Sequence, residues 1–281
     1  MPSRPVFCFI DDAAFELDNF REHAAPGFER AEFVCASSFE QAVEQLAGRR
    51  PLCFLLDIYG TDPALDKPRL LKPERLAALV GEPVEVDRFY QGVDPDSREG
   101  GNLFLRRIYG RVEGWQRAFL EAAEALGQGR GYGLANLALV RESFPWAAAL
   151  GYSRKSMYLD GVEMCRAGAD GLLQKPQGAD DQAIARATRR QAPELARVAY
   201  RAVDQRLSLV AGRLGLRLCL QGEATELCGA LGLALEALAG EDTEQRREAA
   251  QALGGVRLEE LGLATEELQA VLALGDWLAA G

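Results

Sequence analysis

Histidine is nearly missing from this sequence: His23 stands alone among 281 residues. One imidazole leaves almost no room for a histidine-based metal centre, a Ser-His-Asp triad or a histidine phosphocarrier, and His23 itself is expected to end a helix and do nothing chemical. Cysteine is sparse and scattered, at Cys8, Cys35, Cys53, Cys165, Cys219 and Cys228, with no CxxC pair. Most of the six sit inside apolar runs ("VFCFI", "PLCFLL", "LRLCLQ"), which suits buried reduced thiols better than a disulfide framework or a zinc site. No stretch of 18 uninterrupted apolar residues exists, so no membrane span is expected. The opening "MPSRPVFCFIDD" reaches charge too soon for a secretory signal, and the expected location is the cytoplasm. Basic residues are also short, 32 against 42 acids for a net charge of −10, which disfavours non-specific binding to nucleic acid.

What is present is an ordinary globular composition, 48% hydrophobic and 26% charged, which argues against wholesale disorder. The first sixty residues read β-α-β-α-β. "PVFCFI", "AEFVCA" and "PLCFLL" are short apolar strands. Between them lie "AAFELDNFREHA", with Phe15, Leu17, Phe20 and Ala24 at helical spacing, and "SSFEQAVEQLAG", with a serine pair able to cap it. Strands apolar throughout and alternating with helices predict an open parallel sheet covered on both faces. After Asp57 the rhythm breaks for about seventy residues, which contain one amphipathic helix near 110–127 and end in "GQGRGYG", read as a re-entry hinge. It then resumes with a helix ("LANLALVRES"), a strand ("FPWAAALGYS"), a helix ("KSMYLDGVEMCRAG") and a strand ("ADGLLQ"). From about residue 179 the pattern is helical, with Pro193 expected to kink or break the first long run.

The strands end in residues with chemistry. Asp11 and Asp12 close the first, Asp57 the third, Ser153 the fourth and Lys175 the fifth. In an open α/β sheet these carboxyl ends line the ligand crevice. Three carboxylates there suit a hard divalent cation, and Mg²⁺ fits an all-oxygen donor set that leaves room for waters and a substrate phosphate. Adding a lysine and a hydroxyl makes a pocket for a phosphoryl group, with one aspartate as the attacking nucleophile.

These positions and their offsets resemble the receiver (CheY-like) domain of two-component response regulators. Asp12 and Asp57 are 45 residues apart, and "SRKSMYLDGVEMCRAGADGLLQKP" places Ser153 fifteen residues before Gly168 and Lys175 seven after it. The resemblance implies a flavodoxin-like, doubly wound, five-stranded parallel sheet built from residues 1–60 and 131–178. Residues 61–130 form an inserted segment with a helix, and 179–281 an all-α C-terminal domain. It further implies Asp57 as phosphoacceptor, with Mg²⁺ held by Asp11, Asp12, Asp57 and the backbone carbonyl of Tyr59. Ser153 and Lys175 would contact the phosphoryl group, Ser153 also acting as the switch hydroxyl. A cis Lys175–Pro176 bond would fit the same pattern.

Two positions depart from the family. Leu172 stands where an aromatic switch residue is usual, and Arg154 follows the switch hydroxyl where a small residue is usual. The implied role is phosphorylation by a histidine kinase or phosphotransfer protein rather than turnover catalysis, with output through protein contacts or homodimerisation of the C-terminal helices. That tail has more acids than bases, which argues against DNA as the target. Two alternatives stand beside this reading: a phosphorylation-independent pseudo-receiver scaffold, and a haloacid-dehalogenase-like phosphatase suggested by "FLLDIYGTD", in which Tyr59 replaces the expected second acid.

Overall fold

The structure, a computed structural model, describes residues 4–61, 69–81, 85–155, 158–240 and 242–281. Ser156, the other hydroxyl near Ser153, and residues 62–68 and 82–84 of the predicted insertion lie outside the described residues. The chain divides into two compact units, residues 1–60 with 130–281, and residues 61–129.

In the larger unit the strands are β1 (Val6–Ile10), β2 (Glu32–Ala36), β3 (Pro51–Leu56), β6 (Ala148–Ser153) and β7 (Gly171–Gln174); β4 (Gly60–Thr61) and β5 (Gln128–Gly129) form a separate two-stranded ribbon. The five-stranded sheet runs β2-β1-β3-β6-β7 and is parallel throughout. That is the flavodoxin-like order, in which the chain reverses direction across the sheet between β1 and β3. Every residue of β1, β3 and β6 is buried. This is why these strands read as continuous apolar runs rather than as alternation. The edge strand β7 is only half-buried.

The helices at the sheet start as the sequence predicts. Helix α1 (Ala14–Asn19) widens into a π-turn over Phe20–Ala24, and Phe20 stacks on Phe9 at 4.4 Å. Helix α2 (Phe39–Leu46) is capped by Ser38, whose hydroxyl accepts from the Gln41 amide. Helices α6 (Gly131–Ser143) and α7 (Tyr158–Arg166) complete the βα rhythm. The turn into β7 is held by Arg141, which donates to the Gly168 and Ala147 carbonyls and pairs with Asp170.

Helix α8 (Asp181–Gln221) is 41 residues long, capped by Asp180 and closed by Gly222 in the left-handed region. It runs through Pro193, where a kink or a break is expected, without a break. Pro193 is exposed, so the Arg189 carbonyl that loses its N–H partner faces water instead of a dry core. The amino-terminal part of α8 covers β3, β6 and the π-turn, and the helix then continues into a bundle with α9 (Thr225–Ala239), α10 (Thr243–Gly254) and α11 (Thr265–Ala279). These helices pack into the same compact unit as the sheet. Trp277 of α11 is fully buried, with its ring 6.2 Å from Phe7 of β1 and 5.6 Å from Tyr200 of α8. Among the described residues no helix is long and apolar enough to cross a membrane.

The cysteines divide. Cys8, Cys35 and Cys53 are buried free thiols, and burial pushes Cys35 up to about 11 and raises the other two as well. Cys165 and Cys219 are exposed, against expectation. Cys219 lies on the outward face of α8 with the exposed Leu216 and Leu220, so the apolar run "LRLCLQ" is not a buried one.

The smaller unit holds α3 (Pro73–Val80), α4 (Asp87–Tyr90) and α5 (Arg98–Ala125). Ser97 caps α5, which makes the helix 28 residues long and starts it well before the predicted 110–127. Gly114 lets α5 approach α3 closely, since a Cβ there would lie 2.9 Å from the Leu79 carbonyl oxygen. Arg75 closes the pair by donating two bonds to Glu121, at 2.8 and 2.6 Å.

Candidate functional site

Parallel pairing of β1 with β2 and β3 brings the predicted acids together at the carboxyl end of the sheet. The Asp11 amide donates to the Ala36 carbonyl, and the Asp57 amide donates to the Ile10 carbonyl at 2.9 Å. Each backbone bond extends the ladder one residue past its strand. Both aspartates are therefore fixed by the sheet rather than left on a loose turn. One carboxylate oxygen from each of Asp11, Asp12 and Asp57 falls within 4.8 Å of the others.

Lys175 enters from the end of β7. Its amide donates to the Ser153 carbonyl at 3.0 Å, and its buried ammonium donates to Asp57 Oδ1 at 3.0 Å and to Asp11 Oδ2. The same ammonium lies over the rings of Phe9 and Tyr152, 5.3 and 5.8 Å from their centroids. Burial pulls the ammonium down, but Asp57, Asp11 and Glu16 more than offset it, and the net shift is upward. Burial raises Asp11 to about 6, and neighbouring Asp57 adds to the rise against the opposing pull of Lys175.

Ser153 is fully buried at the end of β6, where its hydroxyl oxygen accepts from the Lys155 amide at 3.4 Å. Leu172 sits in β7 against the next strand, and a Cβ on Gly151 would lie 2.5 Å from its Cδ1. Tyr59 turns its side chain away from the acids, and its hydroxyl donates to buried Asp160 of α7 at 2.9 Å. The described residues contain no cis peptide bond, so the expected cis Lys175–Pro176 bond is trans. Trans is the lower-energy isomer, and in this conformation the Pro176 carbonyl accepts from Arg154.

Several residues of the site were not singled out in the sequence. Glu16, on the first turn of α1, forms a two-oxygen pair with Arg154 at 2.9 and 3.0 Å and stands 4.0 Å from the Lys175 ammonium. Its signal was its place one helical turn past the Asp pair. Tyr132 is held by its hydroxyl to the Ser37 carbonyl at 2.9 Å; burial and then Asp12, Asp11 and Asp57 raise its pKa.

The glycine run "GQGRGYG" spans the point where the chain re-enters the larger unit, between Gly129 and Arg130, and its glycines also take places in regular elements. Gly129 lies in β5, and Gly131 and Gly133 open α6. Gly133 packs directly on the loop after β3: its amide donates to the Ile58 carbonyl, and a Cβ would lie 2.7 Å from the Asp57 carbonyl oxygen and 2.7 Å from Ile58 Cα. Those neighbours are backbone atoms and cannot rotate away. Gly133→Ala is therefore expected to cost about 1–3 kcal/mol and to displace the Asp57 peptide. Thermal unfolding and the rate of any covalent modification at Asp57 check both effects.

The donor set fits a divalent cation. It is all oxygen, it brings three carboxylates together, and burial, with Asp57 adding to it, holds a proton on Asp11 up to about pH 6. A cation must displace that proton. Divalent affinity is thus expected to be full above pH 7 and to fall by about tenfold for each unit below about 6. Calorimetric titration with Mg²⁺ between pH 5 and 8 measures it.

No family model matches the chain, and no curated protein matches it. Among solved structures it is similar to a response regulator receiver domain protein (CheY-like) from Methanospirillum hungatei JF-1. The identity is 13% and the TM-score 0.32, with 69% of this chain and 98% of that one covered. It is also similar to a response regulator protein from Burkholderia pseudomallei with a phosphorylated aspartic acid, a calcium ion and citrate. There the identity is 16% and the TM-score 0.31, with 68% of this chain and 70% of that one covered. Strand order, more than these distant likenesses, defines the architecture. The chain has a flavodoxin-like, doubly wound α/β fold, interrupted after β3 and continued by helices.

Proposed function

We propose that the protein is a two-component response regulator whose Asp57 accepts a phosphoryl group from a histidine kinase or phosphotransfer protein. The observation that supports this most is the convergence of carboxylates from the ends of β1 and β3 on the ammonium at the end of β7. In the proposed transfer an Asp57 carboxylate oxygen forms the new P–O bond as the P–N bond of the partner's phosphohistidine breaks, its electron pair leaving on the imidazole nitrogen. Lys175 stabilises charge on the phosphoryl oxygens, and the Ser153 hydroxyl turns to donate to one of them. Mg²⁺ bound by Asp11, Asp12, Asp57 and the Tyr59 carbonyl would neutralise the remaining phosphoryl charge. Modification of Asp57 then biases Ser153 and Lys175, which join β6 to β7 just before α8, and output follows as altered self-association or partner binding through α8–α11.

Tyr59 weighs against a turnover phosphatase. The hydroxyl at the position of the second acid is spent on Asp160, and burial and then Asp160 push its pKa upward. One observation favours a phosphorylation-independent scaffold. Arg154 is held by Glu16 and the Pro176 carbonyl beside the pocket, which adds a fixed ion pair where an incoming phosphoryl group needs room.

Intact-mass spectrometry after incubation with acetyl phosphate and Mg²⁺ separates the readings. A receiver gains one phosphoryl mass that Asp57→Ala abolishes completely. An unmodified wild type that also fails to bind beryllofluoride establishes the scaffold instead, and steady release of phosphate from a monoester establishes the phosphatase.

A further inference from the structure

A second charged cluster lies away from the acids, at the amino end of β2, and its imbalance has the opposite sign. Arg30, two residues before β2, lays its guanidinium over the ring of Trp277 at 4.7 Å and that of Tyr200 at 5.4 Å. Its Nε and Nη2 are buried and have no hydrogen-bond partner. Arg246 of α10 is 6% exposed, and it donates through Nη2 to Asp204 at 3.0 Å while its Nη1 is buried and unpartnered. Both arginines border a cleft of about 700 Å³ that Arg197, Arg201, Tyr200 and Asp204 of α8 also line.

Charge is only partly compensated here. Among the described lining residues four guanidiniums face the Asp204 carboxylate and the terminal carboxylate of Gly281, which lies beside Arg30 and Arg246, and Asp204 is already shared between Arg246 and the Trp277 indole N–H at 2.7 Å. Glu194, outside the cleft, pairs with Arg197. Burial and the facing Arg246 both pull the Arg30 guanidinium below its usual range, as expected of two cations held together without enough negative charge. Three buried N–H groups without acceptors are costly unless an oxygen-rich ligand completes them.

We infer that this cleft binds a phosphorylated small molecule, with Arg30 and Arg246 gripping a phosphate group and Arg201 and Arg197 facing the rest of its negative charge. Guanidinium forks match phosphate oxygens two at a time, and the volume suits a small metabolite more than a single ion. The cleft lies between the sheet edge and helices α8 and α10, so its occupancy would set how the helices rest on the sheet. The inference does not depend on phosphorylation at Asp57.

Inorganic pyrophosphate titrated by calorimetry into the metal-free full chain at constant chloride provides the test. Saturable binding is expected, weakened at least about tenfold by Arg30→Gln or Arg246→Gln and unchanged by Asp57→Asn. Where circular dichroism shows that a buried-arginine variant does not fold, Arg201→Gln at the exposed rim decides: a severalfold loss supports the site, and unchanged affinity overturns it. No saturable binding up to about 10 mM overturns it as well, because a cleft satisfied by the chain's own atoms takes up no pyrophosphate. Binding that Asp57→Asn removes and the arginine variants leave intact assigns the anion to the other pocket and also overturns the inference.

Discussion

Lys175→Met is expected to destabilise the metal-free protein by about 3–5 kcal/mol at pH 8, the range for removing one partner of a buried ion pair. Methionine keeps a side chain of similar length and apolar volume, so lost packing contributes little; what goes is the ammonium, which also lies over the Phe9 and Tyr152 rings. The cost comes from Asp11 and Asp57, which are 1% and 6% exposed and would keep their negative charge without the ammonium between them. That origin makes the penalty depend on conditions. Without the opposing pull of Lys175, buried Asp11 holds its proton to higher pH, so between the ordinary carboxylate range and that raised value the folded state binds more protons than the unfolded chain. Stability must then fall as pH rises through the window, and the penalty must shrink on acidification. Mg²⁺ should also restore much of it, since the cation supplies the missing positive charge to the same oxygens. Urea unfolding at pH 8 and pH 5.5, with and without Mg²⁺, tests all three. A penalty indifferent to both pH and Mg²⁺ would place Lys175's role in packing and remove the electrostatic basis for a cation site.

The site was legible in the sequence because a parallel sheet converts order along the chain into position in space. Asp11, Asp12, Asp57, Ser153 and Lys175 each follow a strand that announces itself as an apolar run, and parallel strands bring their carboxyl ends to one edge. Glu16 and Tyr132 were not legible. Both come from helices, where a polar residue facing inward looks the same as one facing water until the helix is docked. The glycine run marked the re-entry between the two units but not the close packing at Gly133, for a related reason. Glycine marks both freedom and close approach, and only the Asp57 and Ile58 backbone beside Gly133 shows which applies. The helices after 178 were visible as helices from their apolar spacing, but nothing in a periodic pattern says what a helix packs against. Their union with the sheet depends on long-range contacts such as Trp277 on Phe7, which no local window contains.

Trp277→Ala measures that union. Its ring is 0% exposed, packs against Phe7 and Tyr200, lies under the Arg30 guanidinium, and donates its N–H to Asp204 at 2.7 Å. Truncation to alanine is expected to cost about 3–5 kcal/mol, the range for a large aromatic removed from a core. Trp277→Phe keeps most of the apolar contact and removes only the bond to a charged acceptor, so its cost should fall to about 1.5–3 kcal/mol. The shape of the transition matters as much as its midpoint. Helices that share one core with the sheet must melt with it, so the near-ultraviolet signal of Tyr152 beside β1 and the far-ultraviolet signal of the helices should move together in both variants. An alanine variant that loses helical signal first while the sheet aromatics stay fixed would show an independent helical module. The distinction bears directly on signalling. Phe7 and Asp11 lie at opposite ends of one five-residue strand and its extension. A helical segment anchored on Phe7 is therefore tied by a rigid element to the proposed phosphoacceptor pocket, while a detached module would have to sense Asp57 through α8 alone.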